Sequence, residues 1–398
     1  MRERHKKGRK AKGMKFFHLS DLHIGLRLFN RDLLEDQVHI LREIAALAAE
    51  RQPDAVVIAG DIYDKAVPSA EAVSVFDGFV SALRAAVPDA EIMMISGNHD
   101  SAPRVNVFRS VLRRQKIHMI GLPPSEPDDH IEKVVLQDAY GPVCFYLLPF
   151  VKPSMVKDIV DTDENGLNLS YDESLRRLLA RETIDPAVRN VLVSHQFYLP
   201  VGMDPAEADR ERTDSEIRTV GNIDLVRADV LAPFDYAALG HIHKPMKVGR
   251  ETLRYSGTPI ACSVSEAGQQ KAVFEVELRE KGAAEVRILP LTPLREIRRI
   301  TGTLEEVLTE ACSDYVSVVL TDKNDLDVID MQDRLHYAFP NLLEIRRETL
   351  WQPDYVRSAY SPGAALDPCA LLSAFLGEPD ETETALLRDV INQVLAKQ

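Results

Sequence analysis

An α/β fold, with buried central β-sheets flanked by helices, is what these 398 residues predict. Three observations carry the prediction. Short apolar runs, partly β-branched, recur along the chain and each stops abruptly at polar residues, the mark of strands buried on both faces. Helix-like segments fill much of the space between them. Hydrophobic residues make up 45% of the chain, enough for an extensive core.

The elements follow in order. Residues 1–13, MRERHKKGRKAKG, read as a basic, disordered N-terminal extension or as residues upstream of the true start, because Met14 opens a strand-like run at once. The apolar runs are 15–20, 55–59, 92–96, 191–194 and 236–239. Residues 32–49 form an amphipathic helix with Leu33, Leu34, Val38, Leu41, Ile44 and Ala48 on one side. Residues 69–87 and 105–114 read as further helices, striped by Val73, Phe76, Val80 and Leu83 and by Val105, Phe108 and Leu112. These elements belong to a main domain, 14–290. The character changes near Leu291, and 291–348 read as a small α+β domain, with helices at 304–312 and 327–338 and strands at 315–321 and 343–347. Residues 349–398 are a linker followed by two short helices, 368–376 and 381–396. The last has Leu386, Leu387, Val390, Ile391, Val394 and Leu395 on one side and little core of its own to cover, which suits a partner-binding tail.

Composition narrows the function. No apolar run approaches the roughly 18 residues of a membrane span, and the basic start lacks the apolar stretch of a secretory signal, so a soluble, cytoplasmic protein is expected. Cys144, Cys262, Cys312 and Cys369 are far apart, which fits reduced thiols and argues against cysteine-ligated zinc. The net charge of −14 argues against a chain that grips nucleic acid strongly by itself. Bound metal ions would offset an acidic active site, and a partner could carry most phosphate contacts.

Each apolar run ends at candidate metal ligands: Ser20-Asp21-Leu22-His23, Gly60-Asp61-Ile62-Tyr63-Asp64, Gly97-Asn98-His99-Asp100, Ser194-His195-Gln196 and Gly240-His241-Ile242-His243. Singly these are weak signals, since a histidine at a strand end is more often a hydrogen-bonded structural residue. Together, each after a buried strand, they place side chains in the crevice where α/β proteins bind ligands. Asp21, His23, Asp61, Asn98, His195, His241 and His243 offer imidazole nitrogen, carboxylate and amide oxygen without thiolate, a set suited to manganese, iron or zinc. Seven side chains with one carboxylate shared supply four contacts to each of two divalent ions, which would sit about 3.5–4 Å apart.

These motifs, in this order, resemble the calcineurin-like metallophosphoesterase superfamily, whose fold is a layered sandwich. The strings FHLSDLHIG, GDIYDKAVPS, GNHDS, SHQF, GHIHKP and YSGTPI resemble the SbcD family of nuclease subunits within it. The resemblance is strong from Met14 to about Ile260 and looser beyond. It implies that 291–348 form a capping domain and that the tail binds an SbcC-type ATPase. One manganese ion would be held by Asp21, His23, Asp61 and His243, the other by Asp61, Asn98, His195 and His241, with Asp61 shared. It further implies that His99 acts as general acid with Asp64 orienting it, and that helices 69–87 and 105–114 pair two copies in a heterotetramer with two ATPase subunits. Eukaryotic relatives tend to carry histidine where this chain has Asp64. Asp100 reads equally as a turn residue, and Lys65 and Arg104 as surface charges.

Three functions stay open on the residues. The first is a DNA nuclease: 3′-to-5′ exonuclease on DNA ends and endonuclease on single strands and hairpins, serving DNA repair, recombination and replication. It depends on an outside ATPase, because the chain has no GxxxxGK[ST] loop. The second is the same chemistry on a small phosphoester or cyclic nucleotide, which would leave the C-terminal modules without a purpose. The third is a scaffold without activity, against which stands the complete set of ligands and His99.

Overall fold

The computed structural model describes residues 12–164, 166–200, 202–203, 224–322 and 328–347. Two six-stranded sheets face each other. The first runs in the order Ala284–Pro290, Ala272–Leu278, Met14–Leu19, Ala55–Ala59, Glu91–Ile95, Ile117–Ile120, and its last four strands are parallel. The second runs Met246–Val248, Arg250–Tyr255, Tyr236–Gly240, Arg189–His195, Gly141–Leu148, Glu132–Asp138, parallel over its four central strands. All five strands expected from apolar runs are present and sit side by side in the two sheets.

Alternation along each strand makes the layers. Phe16, Val57, Met93 and Ile95 turn inward to meet Phe145, Val191, Val193 and Tyr236 of the other sheet. Phe17, Val56, Ile58 and Ile92 turn outward under the helices Leu34–Arg51 and Ala70–Ala86. Leu192, Ala237 and Leu239 do the same on the far side, under Pro153–Val160 and Tyr171–Ala180. Because side chains alternate with a period of two, a one-residue slip would exchange these faces. His18 lies in the inter-sheet layer, with Nδ1 3.0 Å from Tyr236 Oη and Nε2 3.2 Å from the Leu239 carbonyl. Burial pushes its pKa down to about 3, so it is a neutral cross-link and not a ligand.

Two helices depart from expectation. In Ala70–Ala86, capped by Ser69 on Ala72 N, the buried side is Ala72, Phe76, Phe79 and Leu83, and Val73 faces solvent. The 105–114 helix is broken: Ala102–Val105 and Arg109–Leu112 are separate short turns, because Phe108 adopts a left-handed φ of 61°.

The capping unit is a parallel three-stranded sheet, Ile297–Gly302, Tyr315–Leu320 and Leu342–Arg347, with crossovers through Leu304–Leu308 and Val328–Ala338. The first helix is shorter than expected, and Ile297–Gly302 is a strand the apolar pattern missed because Arg298 and Arg299 interrupt it. The unit packs on the sandwich through Ile297 and Tyr315 against Leu26, Leu28, Leu33, Cys262 and Val264. Buried Asp36 accepts from Arg295 Nη1 at 2.7 Å and Tyr315 Oη at 2.8 Å. The expected tail helices and the N-terminal extension up to residue 11 lie outside the described residues.

Candidate metal centre

The ligand-bearing loops leave the same edge of both sheets, and their backbone is strained to do so. Asp21, His23, Asp61 and His241 have φ of 53°, 43°, 49° and 103°. Non-glycine residues rarely adopt this region, and several held there together are a feature of functional sites. Gly60, at φ 90°, and Gly97 are dictated by close approach: a Cβ on the first would overlap the His195 ring, and on the second the Asp61 carboxylate. Asp100 holds this geometry, its carboxylate accepting from Ile62 N and Tyr63 N at 3.0 Å and Gly97 N at 2.9 Å. Its burial, with Asp61 nearby, pushes its pKa up to about 6.

All seven candidate ligands converge. His243 Nε2 lies 3.1 Å from His23 Nε2, which lies 3.7 Å from Asp61 Oδ2. That oxygen is 3.2 Å from His195 Nε2, which is 3.0 Å from Asn98 Oδ1. Asn98 Oδ1 is in turn 2.8 Å from His241 Nδ1. Asp21 groups with His23 and His243 on one side and with Asp61 and His195 on the other, and its Oδ1 also accepts from His241 N at 3.0 Å. Asp21 is common to both groups, and Asp61 stands between them, with Oδ2 within 3.7 Å of His23 and 3.2 Å of His195. Its Oδ1 is held by His99 N at 2.9 Å, leaving Oδ2 to face both.

The outer nitrogens of the histidines have separate partners. His195 Nδ1 donates to the Ala59 carbonyl at 2.7 Å. His23 Nδ1 lies 3.9 Å from Asp64 Oδ1, His241 Nε2 3.9 Å from Asp224 Oδ2, and His243 Nδ1 3.5 Å from Glu266 Oε1. Each imidazole thus has one nitrogen with an oxygen within 4 Å outside and one turned into a shared buried space, an arrangement like that of metal-ligating histidines. Electrostatics agree. Burial, reinforced by neighbouring histidines, holds His23 well below its ordinary value, so it keeps a lone pair. Burial pushes Asp21 up. For Asp61 burial is outweighed by His195 and His23, and the carboxyl stays below the ordinary range. Buried imidazole and carboxylate donors in two clusters fit a dimetal site.

His99 is not among the seven candidate ligands, although with His23 and Asp64 it forms a further trio close enough to hold an ion. Half-buried, it sets its ring edge-on to His23 at 4.7 Å between centroids, and its Nδ1 donates to the main-chain carbonyl of Asp64 at 3.0 Å. The expected partnership of Asp64 and His99 makes its hydrogen bond through the backbone, while the Asp64 carboxylate lies within 4.8 Å of a ring nitrogen of both His23 and His99. Lys65 and Arg104 are exposed. Sequence reasoning missed Asp224 and Glu266. Glu266 could have been suspected as an acidic residue amid the apolar and small residues of YSGTPIACSVSEAG; Asp224 carried no signal.

Two facing sheets with histidines and carboxylates gathered at their strand ends define a class, the metallophosphoesterase hydrolases. The chain belongs to the calcineurin-like phosphoesterase family, which matches residues 14–245. Residues 293–376 match a second family, SbcD_C, described as the Type 5 capsule protein repressor C-terminal domain, and the two together make the chain SbcD-like. Among solved structures it is similar to the protein TT1561 of Thermus thermophilus at 11% identity, with 70% of this chain and 99% of that one covered and a TM-score of 0.38. A dimetal phosphatase from Danio rerio is 14% identical over 71% of this chain and 100% of that one, with a TM-score of 0.39. No described helix is long and apolar enough to cross a membrane.

Proposed function

We propose that this chain is the nuclease subunit of an SbcCD-type complex: a two-metal phosphodiesterase that degrades DNA ends 3′ to 5′ and cuts single strands and hairpins. The observation that carries the chemistry is His99, poised beside the seven donors with Nδ1 already committed to the Asp64 carbonyl. That bond keeps one proton on Nδ1, so the doubly protonated ring would give its second proton from Nε2 to the leaving oxygen and be left as the neutral Nδ1–H tautomer, a general-acid role. Asp64 acts as its positioning residue. Asp21, His23, Asp61 and His243 would hold one ion and Asp61, Asn98, His195 and His241 the other. Manganese suits this nitrogen and oxygen set, and such ions supply an activated water and neutralise the phosphate charge.

The SbcD_C match supports a DNA substrate over a small phosphoester, and with it an SbcC-type ATPase as partner, bound through residues 349–398. An acidic chain leaves phosphate contacts to that partner. Homodimer formation through 69–87 and 105–114 is supported by apolar side chains both segments leave exposed: Val73 on one, and Val107, Phe108 (73% exposed) and Val111 on the other. Two copies of each subunit would make the complex.

End-labelled single-stranded and hairpin DNA, incubated with manganese, with EDTA and with His99→Ala, tests the reading. Cleavage should require manganese, and His99→Ala should lower kcat by about 10²- to 10⁴-fold while both ions stay bound. Rapid hydrolysis of bis-p-nitrophenyl phosphate with no DNA cleavage, even with the SbcC partner and ATP, would assign the site to a small substrate.

A further inference from the structure

We propose that Glu266 and Lys271 are a positioning device for His243 and that, through His243, they set the affinity of one metal ion without contacting it. The inference rests on the two-metal reading above. Both residues are charged and almost fully enclosed, at 1% and 6% exposure. Lys271 Nζ donates to Glu266 Oε2 at 2.7 Å, to Gln269 Oε1 at 3.0 Å and to the main-chain carbonyl of His243 at 3.1 Å. Glu266 Oε1 stands 3.5 Å from His243 Nδ1 and accepts from Ser263 Oγ at 3.1 Å. Glu266 Oε2 also accepts from Thr258 Oγ1 at 3.1 Å, and Thr258 N donates to the His243 carbonyl at 3.1 Å. One cluster therefore grips His243 twice, by its ring and by its backbone.

A buried ion pair is a poor choice for stability alone, because desolvation offsets the attraction. Its place behind a ligand gives it a different use. A carboxylate facing Nδ1 keeps the proton there, turns the Nε2 lone pair toward His23 and raises the basicity of the ring. The other histidines are held differently. His195 has only a neutral carbonyl at its outer nitrogen, and His23 and His241 have carboxylates 3.9 Å away. Glu266, Cys262 and His243 are close enough to suggest a further ion, but the Lys271 ammonium already occupies the cation's place beside Glu266. Burial, with Glu266 adding to it, keeps the Cys262 thiol protonated.

Manganese titration of the metal-stripped full chain, by calorimetry, tests the assignment. Wild type should bind two ions. Glu266→Gln should bind one of them about 10- to 100-fold more weakly and the other unchanged, and excess manganese should restore DNA cleavage to the wild-type kcat. Glu266→Gln/Lys271→Met removes both charges, leaves no unpaired buried ion, and should show the same selective loss if the single variant does not fold. Either folded variant that binds both ions as wild type does, or that loses both equally, would overturn the proposal. Wild type that binds fewer than two ions would instead overturn the two-metal reading beneath it.

Discussion

At the strand ends of the sandwich, four of the seven candidate ligands hold positive φ; in the capping unit, 291–347, no described non-glycine residue does. The contrast extends to the local chemistry. The capping helix Leu304–Leu308 starts with a reciprocal box, Thr303 accepting from Glu306 N while the Glu306 side chain accepts from Thr303 N. The capping chemistry at that helix agrees with the fold. In the sandwich, Asp21, His23, Asp61 and His241 each sit where a non-glycine residue costs about 1–3 kcal/mol, and the core beneath them tolerates that cost. Positive φ and buried carboxylates meet at the ligand-bearing strand ends, whereas the capping unit, which holds no candidate ligand, has no described non-glycine residue at positive φ.

The sharpest way to break this contrast is at its centre. Asp61→Ala removes a carboxylate that, like Asp21, faces both clusters, so both ions should be lost together and cleavage should fall to the level of the EDTA control. Elemental analysis of the purified variant measures the ions. Retention of one ion at wild-type affinity would show that Asp61 is not shared.

A smaller effect should follow pH. In the metal-free protein burial lowers the pKa of His195, but Asp61 outweighs it and pushes the group up from 6.5 to about 9. A raised histidine contributes stability that is fully present below 6.5 and lost as pH rises through about 9. Ion binding needs the neutral ring, so manganese affinity should rise by up to about tenfold per pH unit over the window in which the metal-free protein weakens. Titrations and thermal melts at stepped pH values should show the two trends crossing. Affinity independent of pH would mean that His195 is neutral before the ion arrives.

The smallest effect belongs to the capping unit. Thr303→Ala loses a helix cap worth about 1 kcal/mol, and melting should fall by about 2 °C with DNA cleavage unchanged. A large loss of cleavage there would erase the distinction between the two regions.

Legibility in the sequence divides along similar lines. The five ligand-bearing strands announced themselves because each is buried on both faces and reads as an unbroken apolar run. Ile297–Gly302 did not, because half-buried Arg298, bonded to Glu310, and exposed Arg299 interrupt its apolar run. The 105–114 segment has a helical stripe, yet Phe108 turns left-handed and splits it, a choice no stripe records. FHLSDLH contains two histidines, of which the motif singled out the second. One residue of strand and a positive φ separate them, sending His18 into the core and His23 into the site.

By itself the sequence indicated an α/β class with buried central strands, seven candidate donors and the absence of thiolate among them, because apolar periodicity and motif spacing are local properties. Only the tertiary structure decided that Asp61 stands between two clusters, that Asp64 reaches His99 through its carbonyl, and that Glu266 and Lys271 close around His243. Those relations join residues up to 220 positions apart, and they exist only once two separately wound sheets have been pressed face to face.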